Sequence, residues 1–247
     1  MTEPTDPPGR ITHPPSLVDL AAASLRRMIV GGDLLCGQRI VENRLTTALG
    51  ISRPPLREAL RVLEREGLVQ AQPRRGVIVT PLTLHDIYEI VTLRGEYERM
   101  AVRLGVPCTD PERLHRCRTE LAGMADAAGD DDRATYLDRS FRFHVSLVGL
   151  AGHRRLEDGY RSLQLQLMLA MARNRRAREP TEDLRGDLAR HQQLLDVVEH
   201  GDPQEVLAEL AAHGDRTFLD DIEAEVDGHT DVALRWLAQQ RGRQEEQ

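Results

Sequence analysis

The chain has 247 residues, 40% of them hydrophobic, enough for a sizeable core and for two domains. Aromatic residues make up only 3%, so that core must be built from Leu, Val, Ala and Ile, as in helical bundles; the net charge is −7, and all 33 basic residues are arginine. Three cysteines (Cys36, Cys108, Cys117) are an odd set with no metal-type pair, and no apolar run approaches a membrane span, which points to a cytoplasmic protein and away from a membrane or a disulfide scaffold.

Residues 1–15 are polar and proline-rich, unlike a secretory signal, and read as a disordered arm. Ser16 starts a helix through Leu17, Leu20, Ala21, Leu25 and Ile29 that ends at Gly31-Gly32. A short helix follows on Val41, Leu45 and Leu49, closed by Gly50. Ser52 is placed as the N-cap of the next helix, where its hydroxyl would take a free backbone N–H, and Pro54 and Pro55 are tolerable in a first turn. Leu56, Leu60 and Leu63 then form an apolar face, and Arg53, Arg57 and Arg61 a second stripe at i, i+4 and i+8. Two short strands over 67–72 and 76–80, joined by Pro73-Arg74-Arg75-Gly76, complete a wing with arginines at its tip.

Helix, glycine turn and second helix is the helix-turn-helix pattern, whose second helix enters the DNA major groove. The charge is divided accordingly. Residues 16–80 carry 10 Arg against 6 acidic residues, whereas 81–247 carry 22 against 32, so only the first part suits a polyanion. The plainer reading is a winged domain for protein contacts with solvated arginines.

Residues 16–80 resemble the winged helix-turn-helix of the GntR family of bacterial transcription regulators. The resemblance is carried by Gly37-Gln38, Leu45, Gly50-Ile51-Ser52-Arg53, Leu56-Arg57-Glu58-Ala59-Leu60, Leu63, Glu66-Gly67-Leu68 and Arg75-Gly76. It implies that Arg53 and Arg57 contact DNA and that Gly76 is the wing glycine. Pro54 stands where many members have a threonine, and Asn43 where well-known relatives carry another DNA-contacting arginine. The candidate DNA-binding set is Asn43, Ser52, Arg53, Arg57, Arg61, Arg74, Arg75 and Gly76.

After Thr80-Pro81 the chain reads as all-α. Helices are predicted near 84–105, 110–128, 131–150, 153–178, 182–200, 203–227 and 230–243, with Gln244–Gln247 a frayed tail. Thr83…Asp86 and Thr109…Glu112 read as capping boxes, and Asp202-Pro203 as a helix start. The expected fold is mainly α: a disordered arm (1–15), a winged helix-turn-helix (16–80), an all-α bundle of six to seven helices (83–228), and a C-terminal helix and tail (229–247). The bundle resembles the FCD ligand-binding domain of the FadR-like subfamily through Leu93-Arg94…Glu98, Phe143-His144, Ala151-Gly152, His191…Val198, Gly201-Asp202 and His213. That resemblance implies an effector-binding and dimerisation domain.

Six of the nine histidines lie in the arm, at helix ends, in connections or on expected surfaces. His144, His191 and His213 instead sit inside three separate helices among leucines and alanines. Buried imidazoles need partners, and three on neighbouring helices can converge on one ion, although spacing alone does not bring them together. The FCD resemblance implies that these three are metal ligands, with a carboxylate one turn before His144. That position is Ser140; Asp138 falls roughly 240° round the helix from His144. Two readings stay open: three imidazoles holding zinc or another first-row divalent ion, or a metal-free site in which Ser140 and the histidines bind an effector directly. Arg94 is either a surface ion pair with Glu98 at i+4 or a cavity arginine that clamps a carboxylate.

These readings converge on a homodimeric, ligand-responsive regulator, with repression as the default. It would bind a pseudo-palindromic operator in double-stranded DNA and respond to a small carboxylate metabolite. The alternative is a metal-dependent hydrolase with an accessory winged helix.

Overall fold

A computed structural model describes residues 15–74, 76–178, 183–213 and 222–245. The expected arm over 1–14, Arg75 of the wing tip, the middle of the predicted 203–227 helix and the last two residues of the expected tail lie outside the described residues.

The N-terminal unit is a winged helix-turn-helix. Helix α1 (Leu17–Val30) is held by a capping box in which Ser16 accepts from the Asp19 N–H and the Asp19 carboxylate accepts from the Ser16 N–H. Helix α2 (Glu42–Leu49) ends at Gly50, whose φ of 64° is the left-handed conformation that glycine adopts without a Cβ clash. Helix α3 (Arg53–Arg65) follows, with Leu56, Ala59, Leu60 and Leu63 buried. Strands β1 (Val69–Gln72) and β2 (Gly76–Val79) pair antiparallel, Val69 opposite Val79 and Gln72 opposite Gly76. A bridge between Arg39 and Ile78, which no strand pattern announces, adds a third rung from the segment before α2.

The remainder is helical: α4 (Leu84–Gly105), α5 (Pro111–Gly129), α6 (Arg133–Gly149), α7 (Arg154–Ser162), α8 (Gln164–Arg178), α9 (Leu184–His200), α10 (Pro203–His213), α11 (Ile222–Glu225) and α12 (Asp231–Glu245). Thr83 and Asp86 form the expected capping box. At α5 the cap is Asp110 rather than Thr109: Pro111 occupies the first helical position, and the Asp110 carboxylate accepts from the Glu112 N–H. The predicted helix over 153–178 breaks at Leu163 into α7 and α8. Helix α7 buries only Leu156 and Tyr160, whereas α8 buries the consecutive Leu167–Ala170, so the axis turns where one-sided burial gives way to full enclosure. The C-terminal helix runs to Glu245, past the predicted boundary of the tail.

One apolar cluster runs from Leu25, Leu56 and Leu63 of the winged unit through Leu84 and Ile87 to Phe141, Tyr160 and Trp236. A second, inside the bundle, gathers Cys117, Met124, Tyr136, Phe143, Leu194 and Val198. Helix α6 is enclosed along its second half: every residue from Phe143 to Leu150 is buried. Among the described residues no helix is long and apolar enough to cross a membrane.

Candidate functional site

The exposed face of α3 presents the predicted arginines, each engaged by a neighbour. Arg57 Nε donates to both carboxylate oxygens of Glu42 on α2 at 3.1 and 3.2 Å. An Arg53 terminal nitrogen donates to Asn43 Oδ1 at 3.0 Å, and Arg61 pairs with Glu58 at 2.5 Å. Arg57 and Arg61 remain 60% and 69% exposed. Helix α2 therefore aims Arg53 and Arg57, a role for Glu42 that its place in a first helical turn did not reveal.

Ser52 occupies the N-cap position with extended backbone angles, but its side chain accepts no capping hydrogen bond. This corrects the expectation for its hydroxyl, and the reason is local. An N-cap oxygen accepts from the second or third helical N–H, and those positions are Pro54 and Pro55, which have none. At the wing tip Arg74 is exposed with φ 66°, and Gly76 has φ 86°, a conformation suited to glycine.

The second site lies where α4, α6, α9 and α10 meet. His144, His191 and His213 are all buried, each offering a ring nitrogen within 4.8 Å of the others. Their ring centroids are 5.5, 5.3 and 4.4 Å apart. His191 Nδ1 lies 2.8 Å from the Asp187 carbonyl oxygen, which can only accept, so Nδ1 carries the proton and Nε2 presents a lone pair. Ser140 Oγ stands 3.1 Å from that Nε2 and donates to it. His144 Nδ1 lies 3.2 Å from Glu98 Oε1, and an Arg94 terminal nitrogen stands over the ring edge, 3.2 Å from Nδ1 and 3.0 Å from Nε2. His213 Nδ1 is buried and has no hydrogen-bond partner among the described residues.

Arg94 realises both halves of the alternative set by the sequence. It pairs with Glu98 at 2.8 Å, but the pair is buried and also faces His144. Tyr160 donates to Glu98 Oε1 at 2.9 Å. Burial alone would raise the Glu98 carboxyl, yet the Arg94 guanidinium and the His144 hydrogen bond hold it well below the usual carboxylate range. Burial pushes all three imidazoles down, His191 to about 4, so they are neutral at pH 7. Asp138 pairs with Arg142 at 2.8 Å, away from the cluster.

The donor set is three ring nitrogens within 4.8 Å of one another and a serine hydroxyl; His213 Nδ1 has no described partner, while Arg94 and Ser140 stand at the nitrogens of His144 and His191 that an ion would take. It fits a first-row divalent ion held by His144, His191 and His213. Glu98 and the Asp187 carbonyl orient two of the three rings, the outer-shell arrangement that fixes a ligating tautomer. Glu98 was marked by the sequence reading only as an ion-pair partner of Arg94, and Tyr160 and Asp187 were not marked, although Asp187 lies one turn before His191.

Two family models match the chain: bacterial regulatory proteins of the gntR family over residues 17–79, and the FCD domain over residues 89–216. The HTH-type transcriptional regulator YdhC of Bacillus subtilis is 36% identical over 135 residues, which are 54% of this chain and 60% of that protein. A protein of Paenarthrobacter nicotinovorans named "Probable D-xylose utilization operon transcriptional repressor" is 31% identical over 191 residues, 75% of this chain and 77% of the relative. Among solved structures, a GntR transcriptional regulator from Rhodococcus sp. RHA1 superposes with a TM-score of 0.60 at 25% identity, covering 84% of this chain and 96% of that one. These are regulators and not enzymes, and nothing among them supports the hydrolase alternative. With both halves matched in this order, the chain belongs to the GntR family of transcription regulators, in the FadR-like architecture of a winged helix-turn-helix followed by an FCD domain.

Proposed function

We propose that the protein is a homodimeric repressor whose operator affinity is set by a small carboxylate bound beside a divalent metal ion in the helical domain. The reading of the metal rests on one observation above all: three buried neutral imidazoles converge within 4.8 Å, and His213 Nδ1 has no described partner. A bound ion would supply positive charge and open coordination positions for carboxylate oxygens. Arg94, already at the edge of the cluster, would clamp the same carboxylate through parallel hydrogen bonds. Ser140, standing where the family carries an anionic ligand, leaves the site more positive and favours an anionic effector.

On the DNA side, two α3 helices of a dimer would enter successive major grooves of a pseudo-palindromic operator. Arg53, Arg57 and Arg61 would reach bases or phosphates, with Asn43 and Ser52 beside them. Arg74, Arg75 and the wing backbone at Gly76 would take the backbone or minor groove. The Paenarthrobacter nicotinovorans relative is named a repressor, which supports repression as the default.

A metal-free reading is favoured by a different observation, the Arg94 nitrogen 3.0 Å from His144 Nε2, which already fills one acceptor. A thermal-shift screen of small organic acids, with and without chelator, decides between them. Stabilisation by acids that chelator abolishes is expected, together with stoichiometric metal in the native protein. Stabilisation that survives chelation, in protein free of metal, leaves the direct-histidine reading. Absence of salt-dependent binding to duplex DNA would remove the regulatory reading altogether.

A further inference from the structure

Helix α6 carries one polar row at successive turns: Asp132, Tyr136, Ser140 and His144. Between them the four are bonded to three other elements, α1, α4 and α9. His144 meets Glu98 and Arg94 of α4, Ser140 meets His191 of α9, and Tyr136 donates to Asp187 of α9 at 2.8 Å. Asp132, the N-cap of α6, accepts from Arg27 of α1 at 2.9 and 3.0 Å, and Arg27 also donates to the Thr135 hydroxyl at 3.1 Å. The row therefore begins on the DNA-binding unit and ends in the histidine cluster, a span of about 18 Å at 1.5 Å per residue. Because α6 is enclosed along its second half, that part has little room to bend.

The winged unit is held unevenly. On the α1 side it is docked onto α6 by Arg27, and a Cβ added at Gly31 would stand 3.6 Å from Ala134 Cβ. On the α3 side, a cleft of 890 Å³ opens between Glu66, Thr80 and Leu82 of the winged unit and its exit, and Tyr88, Leu163 and Gln164 of the bundle. A displacement of α6 thus has a grip on one side of the winged unit and free space on the other.

We infer that α6 is the coupling element, and that the Arg27–Asp132 pair is the latch through which ligation of His144 and His191 repositions the DNA-binding unit. This rests on the proposed regulatory reading of the histidine site. Ligation draws His144 and His191 toward a common point, which re-seats Ser140 and Tyr136 against α9 and shifts the N-terminus of α6 under α1. The latch suits this use because the pair is half-exposed, Arg27 58% and Asp132 31%, and so contributes little to folding. What it can transmit is bounded by the differential affinity of the ligand for the two positions.

The test uses the full chain, zinc ion as the probe, and a duplex that the protein itself selects from randomised DNA. Arg27→Ala removes the latch. Asp132→Asn keeps the cap, since asparagine caps as well as aspartate, and removes only the charge. Zinc should change the DNA dissociation constant of the wild type by about fivefold or more. Both variants should bind zinc within about twofold of wild type, yet change DNA affinity by less than about twofold when zinc is added. A variant that responds to zinc like the wild type overturns the latch and leaves the regulatory reading intact. Loss of zinc affinity in the variants also overturns it, because the pair would then belong to the site's own stability. A wild type that binds zinc and DNA but whose DNA affinity does not respond to zinc overturns the latch, whereas one that binds no duplex DNA sinks the regulatory reading with it.

Discussion

Arginine does opposite work in the two halves of this molecule. On α3, Arg57 is 60% exposed and paired to Glu42; inside the bundle, Arg94 is 14% exposed and paired to Glu98. The hydrogen bonds are of similar kind, but the surroundings differ. An exposed pair contributes roughly 0–1 kcal/mol, so a phosphate or base edge can take the place of Glu42 at little cost. A buried pair cannot be opened so cheaply, because either partner left alone is an uncompensated charge out of water. One arginine is held ready to change partners, the other is built in.

The comparison breaks first, and with the largest effect, at Glu98. Glu98→Ala should destabilise the bundle by about 3–5 kcal/mol in chemical denaturation, since Arg94 would stay buried without its carboxylate. A loss below about 1 kcal/mol would show that Arg94 reaches water. A second measurement sharpens what burial means here. In metal-stripped protein burial depresses the pKa values of the three imidazoles, His191 to about 4, against an ordinary histidine value of 6.5. Stability is then fully present above 6.5 and is lost as pH falls toward 4, by about 3 kcal/mol from His191 alone. Urea midpoints that stay level between pH 7 and 4.5 would contradict it.

On the exposed side, Arg57→Ala should weaken binding to a selected duplex by about 1–3 kcal/mol and leave the urea midpoint where it was. Unchanged DNA affinity would take Arg57 out of the interface. The smallest effect is expected at Ser52. Replacing an N-cap serine with alanine ordinarily costs about 1 kcal/mol, but Ser52→Ala should cost less than about 0.5 kcal/mol because no N–H is there to lose. Ser16→Ala, which removes a working cap on α1, is the internal control.

Much of the winged unit was legible because its signals are local. Gly50, the spacing of Leu56, Leu60 and Leu63, and the turn before Gly76 act over a few residues, and the structure places each as read. The Ser52 hydroxyl was misread because the capping rule was applied without asking whether Pro54 and Pro55 had donors to offer. The break at Leu163 was hidden for a different reason. Leu156, Tyr160, Leu163 and Leu167 keep helical spacing straight through it, with neither glycine nor proline to mark the turn.

The histidine cluster was legible as three candidates but not as a site. Residue types and the family likeness named His144, His191 and His213; their convergence is a property of four packed helices. Glu98 comes to His144 and Ser140 to His191 through packing between helices, whereas the Asp187 carbonyl lies one turn before His191 on its own helix and was overlooked. Glu98 could be noticed only as a neighbour of Arg94, where solvent exposure was the simpler assumption.

The consecutive prolines at the start of α3 also bear on the proposed contact with DNA. With φ preset at two adjacent positions, that end of the helix has few conformations left to surrender when a duplex arrives. If α3 is the helix that meets DNA, little of the cost of binding goes into ordering the backbone at its N-terminus.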